Sequence, residues 1–159
     1  MKQVLYIIFL AFSSLKVYGC TCTGVEQLTK EEVKNRSLIF IGEVIEIDTM
    51  YNGAEILAKF KIIEILNFKE HPIDTVMVYT NGNSGLCGVE FNLNEKWYIF
   101  PDTENNGRID VSVCGRSVLL NKNHIRREDY GSSYLKARKY HRKETRRFKS
   151  EKKLIKKYC

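Results

Sequence analysis

Cys20-Thr21-Cys22 is the stretch from which the fold is read. It lies where a secretory leader is cut. Before it come Lys2 in a short basic start, an apolar run from Val4 to Leu15 broken by Ser13 and Ser14, and Val17 and Gly19 at the small-residue positions. The run is too short to span a bilayer comfortably. Residues 1–19 are therefore expected to be a signal peptide, and cleavage after Gly19 leaves Cys20 first in the chain with a free α-amino group. Export places the chain in an oxidising compartment, where cysteines pair.

Five cysteines are present: Cys20, Cys22, Cys87, Cys114 and Cys159. Alternate residues of an extended chain point to opposite sides, so Cys20 and Cys22 are each expected to reach a different distant partner. A four-cysteine zinc site asks for paired C-x2–4-C clusters, which the isolated Cys87 and Cys114 do not make. Cys-x-Cys is not the Cys-x-x-Cys redox pattern. Disulfides are the expected use of the cysteines, and no cofactor is expected.

Outward from this stretch, Thr29-Lys30-Glu31-Glu32 has the form of a capping box, predicting a short helix that ends near Asn35. Ser37 to Met50 is rich in β-branched residues and partly alternates, with Gly42 marking a bulge or bend. Tyr51-Asn52-Gly53 is a turn. Glu55 to Phe68 forms a second long strand, with Ala58, Phe60 and Ile62 on one face and Leu57, Lys59 and Lys61 on the other. Thr75 to Thr80 is a third strand. The loop Asn81-Gly82-Asn83-Ser84-Gly85 then delivers Leu86-Cys87-Gly88. Lys96 to Phe100 and Arg108 to Val113 complete the set, the last ending at Cys114. Five strands separated by turns predict a mainly β fold, a small closed or partly closed barrel with a two-sheet sandwich as the alternative.

From Lys122 onward the chain carries fifteen Lys/Arg against four Asp/Glu, a net of +11, which leaves −4 for residues 1–121 and about −6 for 20–121 without Lys2 and Lys16. The protein is thus a mildly acidic body with a basic tail. Tyr134, His141, Phe148 and Ile155 recur every seventh residue, a weak apolar stripe, and the tail is read as a basic helix standing off the body. Three units are expected: 1–19 signal peptide, 20–121 β domain, 122–159 basic tail. The tail suits a polyanionic surface or an acidic glycan. Nucleic acid is not expected, because the body is acidic and Tyr79, Trp97, Tyr98 and Phe100 read as core rather than as a base-stacking platform. His71, His124 and His141 are scattered, Glu43, Glu46 and Glu64 read as a solvated strand face, and no nucleophile elbow, phosphate loop or metal-binding helix motif is present. An enzyme is not expected.

Cys20-Thr21-Cys22 at a cleavage site, Val76-Met77-Val78-Tyr79-Thr80, Ser84-Gly85-Leu86-Cys87-Gly88 and a strand ending at Cys114 together resemble the inhibitory domain of the tissue inhibitors of metalloproteinases, over roughly residues 20–120. That domain is netrin-like, a five-stranded OB-fold barrel. The resemblance implies pairing of Cys20 with Cys87 and of Cys22 with Cys114. It implies an exported inhibitor whose Cys20 amine and carbonyl oxygen chelate the catalytic zinc of a partner metalloprotease, displacing water from the open position. Thr21 would enter the specificity pocket. Cys22 and Thr23, with the flanking loop Ser84, Gly85, Leu86 and Cys87, would complete the wedge. Thr23-Gly24-Val25 stands where the family has a proline-rich stretch. The cysteines for a third disulfide within the domain are absent, and the basic tail stands in place of a cysteine-rich second domain. In a rival reading the protein is a non-inhibitory binding module on the same fold, secreted or lipid-anchored, since Val17-Tyr18-Gly19-Cys20 also resembles a loose bacterial lipobox. A lipid there would consume the Cys20 sulfur.

Overall fold

The computed structural model describes residues 20, 22, 24–68, 73–82, 87–105, 108–121 and 131–158. Its elements are helix α1 (Lys30–Asn35), strands β1 (Leu38–Met50), β2 (Glu55–Phe68), β3 (Thr75–Asn81), β4 (Lys96–Ile99), β5 (Thr103–Asn105), β6 (Arg108–Asp110) and β7 (Val118–Leu119), and helix α2 (Tyr134–Tyr158). The strands form a single seven-stranded sheet in the order β5-β6-β3-β2-β1-β4-β7, curled into a half-barrel. All five expected strands are present. The additional β5 and β7 are three and two residues long. The sandwich alternative is not what forms, because one hydrogen-bonded sheet holds every described strand.

β1, β2 and β3 are a meander, and β4 returns to pair antiparallel with the far edge of β1. The spatial order of these four is that of a Greek key. β6 lies parallel to β3, with Val78 opposite Ile109. Arg108 closes this seam. Its guanidinium stacks 4.2 Å over the Tyr79 ring and is paired with Glu55 and Asp110.

The first half of β1 is buried on both faces, which explains why its pattern alternates only in part. Phe40 and Val44 face the inside of the curl with Phe60, Val78, Phe91 and Trp97. Phe40, Phe60, Phe91 and Trp97 make successive edge-to-face contacts at 5.9, 5.3 and 5.1 Å. The indole N–H donates to Glu95 at 2.8 Å. The register of β1 on β2 shifts between Ile41 and Gly42, where the sequence marked a bend. A Cβ on Gly42 would lie 2.8 Å from the Phe40 ring and 3.1 Å from the Lys61 carbonyl oxygen. The fully buried ring has nowhere to go, so Gly42→Ala should lower stability by about 1–3 kcal/mol in urea unfolding.

Helix α1 forms as read. Thr29 Oγ1 accepts from the Glu32 N–H, and the Glu32 carboxylate accepts from the Thr29 N–H at 2.8 Å. The basic helix is also present, but the expectation that it stands off the body is overturned. Phe148 and Ile155 are buried against the outer face of the sheet with Val33, Ile39, Tyr98, Phe100 and Val118. Two apolar residues one seven-residue step apart are enough because ion pairs surround them. Lys152 and Lys156 both hold Glu64 of β2, at 2.5 and 3.1 Å. Tyr134 and His141, the other members of the stripe, are half-buried.

The Lys152 and Lys156 ammonium groups hold the Glu64 carboxyl below its usual range, against a smaller opposing effect of burial. A carboxylate lowered on folding stabilises the fold above the ordinary value of about 4.3. That contribution is lost as pH falls through the lowered value. Glu64→Gln should therefore weaken the wild-type decline in stability below about pH 4.3, read as a smaller difference in urea midpoint between pH 7 and pH 3.

Candidate functional site

Two disulfides gather three distant segments of the chain at one place on the rim of the sheet. Cys20 is bonded to Cys87 and Cys22 to Cys114, with Cα atoms 5.3 and 5.1 Å apart. The Cys20 and Cys114 sulfurs lie 3.3 Å from each other, so the two bridges stack into a single knot. The sulfurs of Cys20, Cys87 and Cys114 are within 4.8 Å of one another. With Cys20 bonded to Cys87, and Cys114 to Cys22, none of them remains a thiolate for a metal.

The floor of the knot is backbone. Val113 N–H donates to the Cys87 carbonyl at 2.9 Å, joining the two partner cysteines' segments directly. Val89 N–H donates to Thr80 Oγ1 at 2.8 Å. Cys87 has a positive φ of 64°, uncommon for a residue with a Cβ. Gly88 follows it with its Cα hard against the Asn81 carbonyl, where a Cβ would collide. Cys87-Gly88 is thus a tight corner fastened on both sides.

On the Cys114 side, Gly115 N–H donates to the Ser112 carbonyl at 3.1 Å. The Cα of Gly115 packs against the Asp102 carboxylate. Ser112 Oγ–H donates to that carboxylate at 2.7 Å. Burial pushes the Asp102 carboxyl above its usual range, and the hydrogen bonds from Ser112 only partly offset this.

The next residue, Arg116, carries the knot into the helices. It is buried, with one guanidinium nitrogen 2.9 Å from Glu151 of α2 and the other 3.0 Å from Glu32 of α1. Arg147 N–H groups reach the Arg116 carbonyl at 3.0 Å and Glu144 at 2.7 Å. The Tyr98 hydroxyl donates to Glu151 at 3.4 Å. Burial raises the Glu151 carboxyl, and the two arginines pull it back in part. Burial, then the nearby Glu151 charge, pushes the Tyr98 hydroxyl far above its ordinary value. The rim is therefore braced by a charged network as well as by disulfides.

Of the residues expected at the site, Cys20 and Cys87 are half-buried and Cys22 is exposed. Thr21, Thr23, Ser84, Gly85 and Leu86 lie outside the described residues, as do His71, His124 and Cys159. Trp97, Tyr98 and Phe100 are buried, so they offer no stacking platform. Glu43 and Glu46 pair with Lys96 and Lys59 across the sheet. The reading from residues alone missed Arg116 and Glu151. Their signal was present in an arginine two places after Cys114 and a rare acid within a basic run.

Chemically, the rim presents Cys20 and Cys22, each pinned by its disulfide, and an apolar groove of about 550 Å3 reaches from Val113 and Gly115, either side of Cys114, to Trp97, Leu119 and Tyr140. No helix among the described residues is long and apolar enough to cross a membrane. No protein-family model matches the chain, and no curated protein matches it.

Proposed function

We propose that this protein is an exported inhibitor of zinc metalloproteases, acting through the amine and carbonyl oxygen of Cys20. The observation that carries this reading is the bonding of Cys20 to Cys87 and of Cys22 to Cys114 at one point of the rim. A chelating terminus gains affinity when it is held in its bound conformation beforehand, because little entropy is then lost on binding. Two bridges flanking one residue, with backbone fastened beneath them, supply that rigidity.

In this reading Cys20 donates its amine nitrogen and carbonyl oxygen to the partner's zinc in place of water. Thr21 occupies the specificity pocket, and Ser84 to Cys87 flank it. Ligation needs the unprotonated amine, which titrates near about 7.7–8.0, so affinity should weaken as pH falls below that range. The same reading takes the curled sheet as an OB-type, netrin-like barrel. The Greek-key order and the parallel β3–β6 pairing are consistent with it, β5 and β7 being short additions at the open edges. The Cys20–Cys87 bond also supports a free amine over the lipid-anchored alternative, since a lipid would take the same sulfur.

The test is a non-reduced intact mass and N-terminal peptide map of the protein from its native host. A chain beginning at Cys20, with a free amine and a Cys20–Cys87 linked peptide, is the expected result. A lipid increment on Cys20 would exclude chelation and leave a surface-anchored binding module.

A further inference from the structure

Helix α2 has more cations than its docking uses. Arg147 and Lys152 face the body and pair with Glu144, Glu151 and Glu64, and the more exposed Lys156 also reaches Glu64. The two acids of the helix, Glu144 and Glu151, are thereby engaged. Arg138, Arg142, Arg146, Lys149, Lys153 and Lys157 are all exposed. Among the described residues none of these six has an acidic partner.

Their spacing of four, four, three, four and four residues places them in one row along the face opposite Phe148 and Ile155. At 1.5 Å per residue the row is about 29 Å long, with a cation roughly every turn. Like charges at this spacing disfavour a helix. The row is therefore not there for stability.

We propose that this outward face of α2 is a binding site for a linear sulfated glycan. Charge complementarity supplies the argument. A band of cations running along the helix, widened by the exposed Lys139 and Lys143, matches a chain of anions, while the body, at about −6 over residues 20–121, repels an extended anionic plane on either side. A membrane-lying helix inserts an apolar face. Here the apolar face is buried on the sheet, and the exposed Leu135, one turn before Arg138, is followed by no apolar side chain on the outward face as far as Lys157. Arginine forks at 138, 142 and 146 suit oxyanions with several acceptor oxygens. Disulfide-bonded cysteines belong to an exported, oxidising compartment, away from the bulk of the cell's nucleic acid.

The experiment measures binding of a fluorescently labelled heparin octasaccharide to the mature full chain at 0.15 M NaCl. The expected result is saturable binding whose logarithm falls against log salt with a slope of roughly −4, from about six charge contacts. Arg142→Glu, Arg146→Glu and Lys149→Glu together should weaken it at least a hundredfold with helix content unchanged by circular dichroism. Of two single variants that each lower net charge by one, Lys149→Gln should weaken it at least about threefold, whereas Lys152→Gln, which faces the body, should leave it nearly unchanged. Equal losses in the two single variants would mean that overall charge, not the row, binds the glycan, and would overturn the proposal. So would absence of binding by the wild type, a salt slope near zero, or tighter binding to phosphatidylserine vesicles or to single-stranded DNA of matched charge.

Discussion

Arg116→Met should destabilise the protein by about 3–5 kcal/mol, because it leaves Glu151 buried beside Tyr98 without its main partner. Glu151 is 4% exposed and 2.9 Å from Arg116. Arg147, at 3.6 Å, offers partial compensation, which favours the lower end of that range. Replacing both partners by apolar residues removes the stranded charge, so Arg116→Met with Glu151→Leu should recover most of the loss. Urea unfolding of the wild type, the single variant and the double variant gives the answer. The effect should also reach the rim. Arg116 is two residues from Cys114, so in the single variant the Cys22–Cys114 bond should be reduced faster by dithiothreitol. A loss below about 1 kcal/mol would mean that the network does not brace the site.

The second large effect concerns the terminus itself. Adding one residue before Cys20 converts its amine to an amide and moves the chain end past the zinc. Inhibition of a metalloprotease should fall by at least a hundredfold, an effect of about 2.8 kcal/mol or more. Thr21→Gly removes the side chain assigned to the specificity pocket while leaving the chelating atoms in place, so it should weaken inhibition and redistribute it among proteases. Both variants keep Cys20, Cys22, Cys87 and Cys114, so their thermal stability should stay near that of the wild type. Inhibition that survives the added residue would contradict the chelation mechanism outright.

Much of this fold is legible in the sequence, and the reasons are physical. β2 reads as a strand because Ala58, Phe60 and Ile62 alternate with Leu57, Lys59 and Lys61, and the former set is the more buried in the structure. Gly42 reads as a bend because only a residue without Cβ fits beside the Phe40 ring. β5 and β7 carry no such signal. Two or three residues have no measurable period, and these segments are strands only because β6 and β4 pass beside them. The last long strand reads to Val113 but ends at Asp110, since Ser112 to Gly115 turns to bring Cys114 to the knot.

Docking of α2 was the least legible feature. Its contact rests on Phe148 and Ile155 and on acids scattered among β2, α1 and the helix itself, and only the folded chain brings those together. The same holds for the site. The cysteines announce that a rim will be pinned, whereas Thr80, Asp102, Ser112 and Arg116, which fasten it, are ordinary residues far apart in sequence.

The most direct measurement titrates a panel of zinc metalloproteases with mature protein whose Cys20 start and Cys20–Cys87 bond have been verified by mass. One-to-one inhibition of at least one protease, with zinc-bound water displaced, is the expected result. A verified free amine and intact bridges without inhibition of any member of the panel would contradict the proposed chelation.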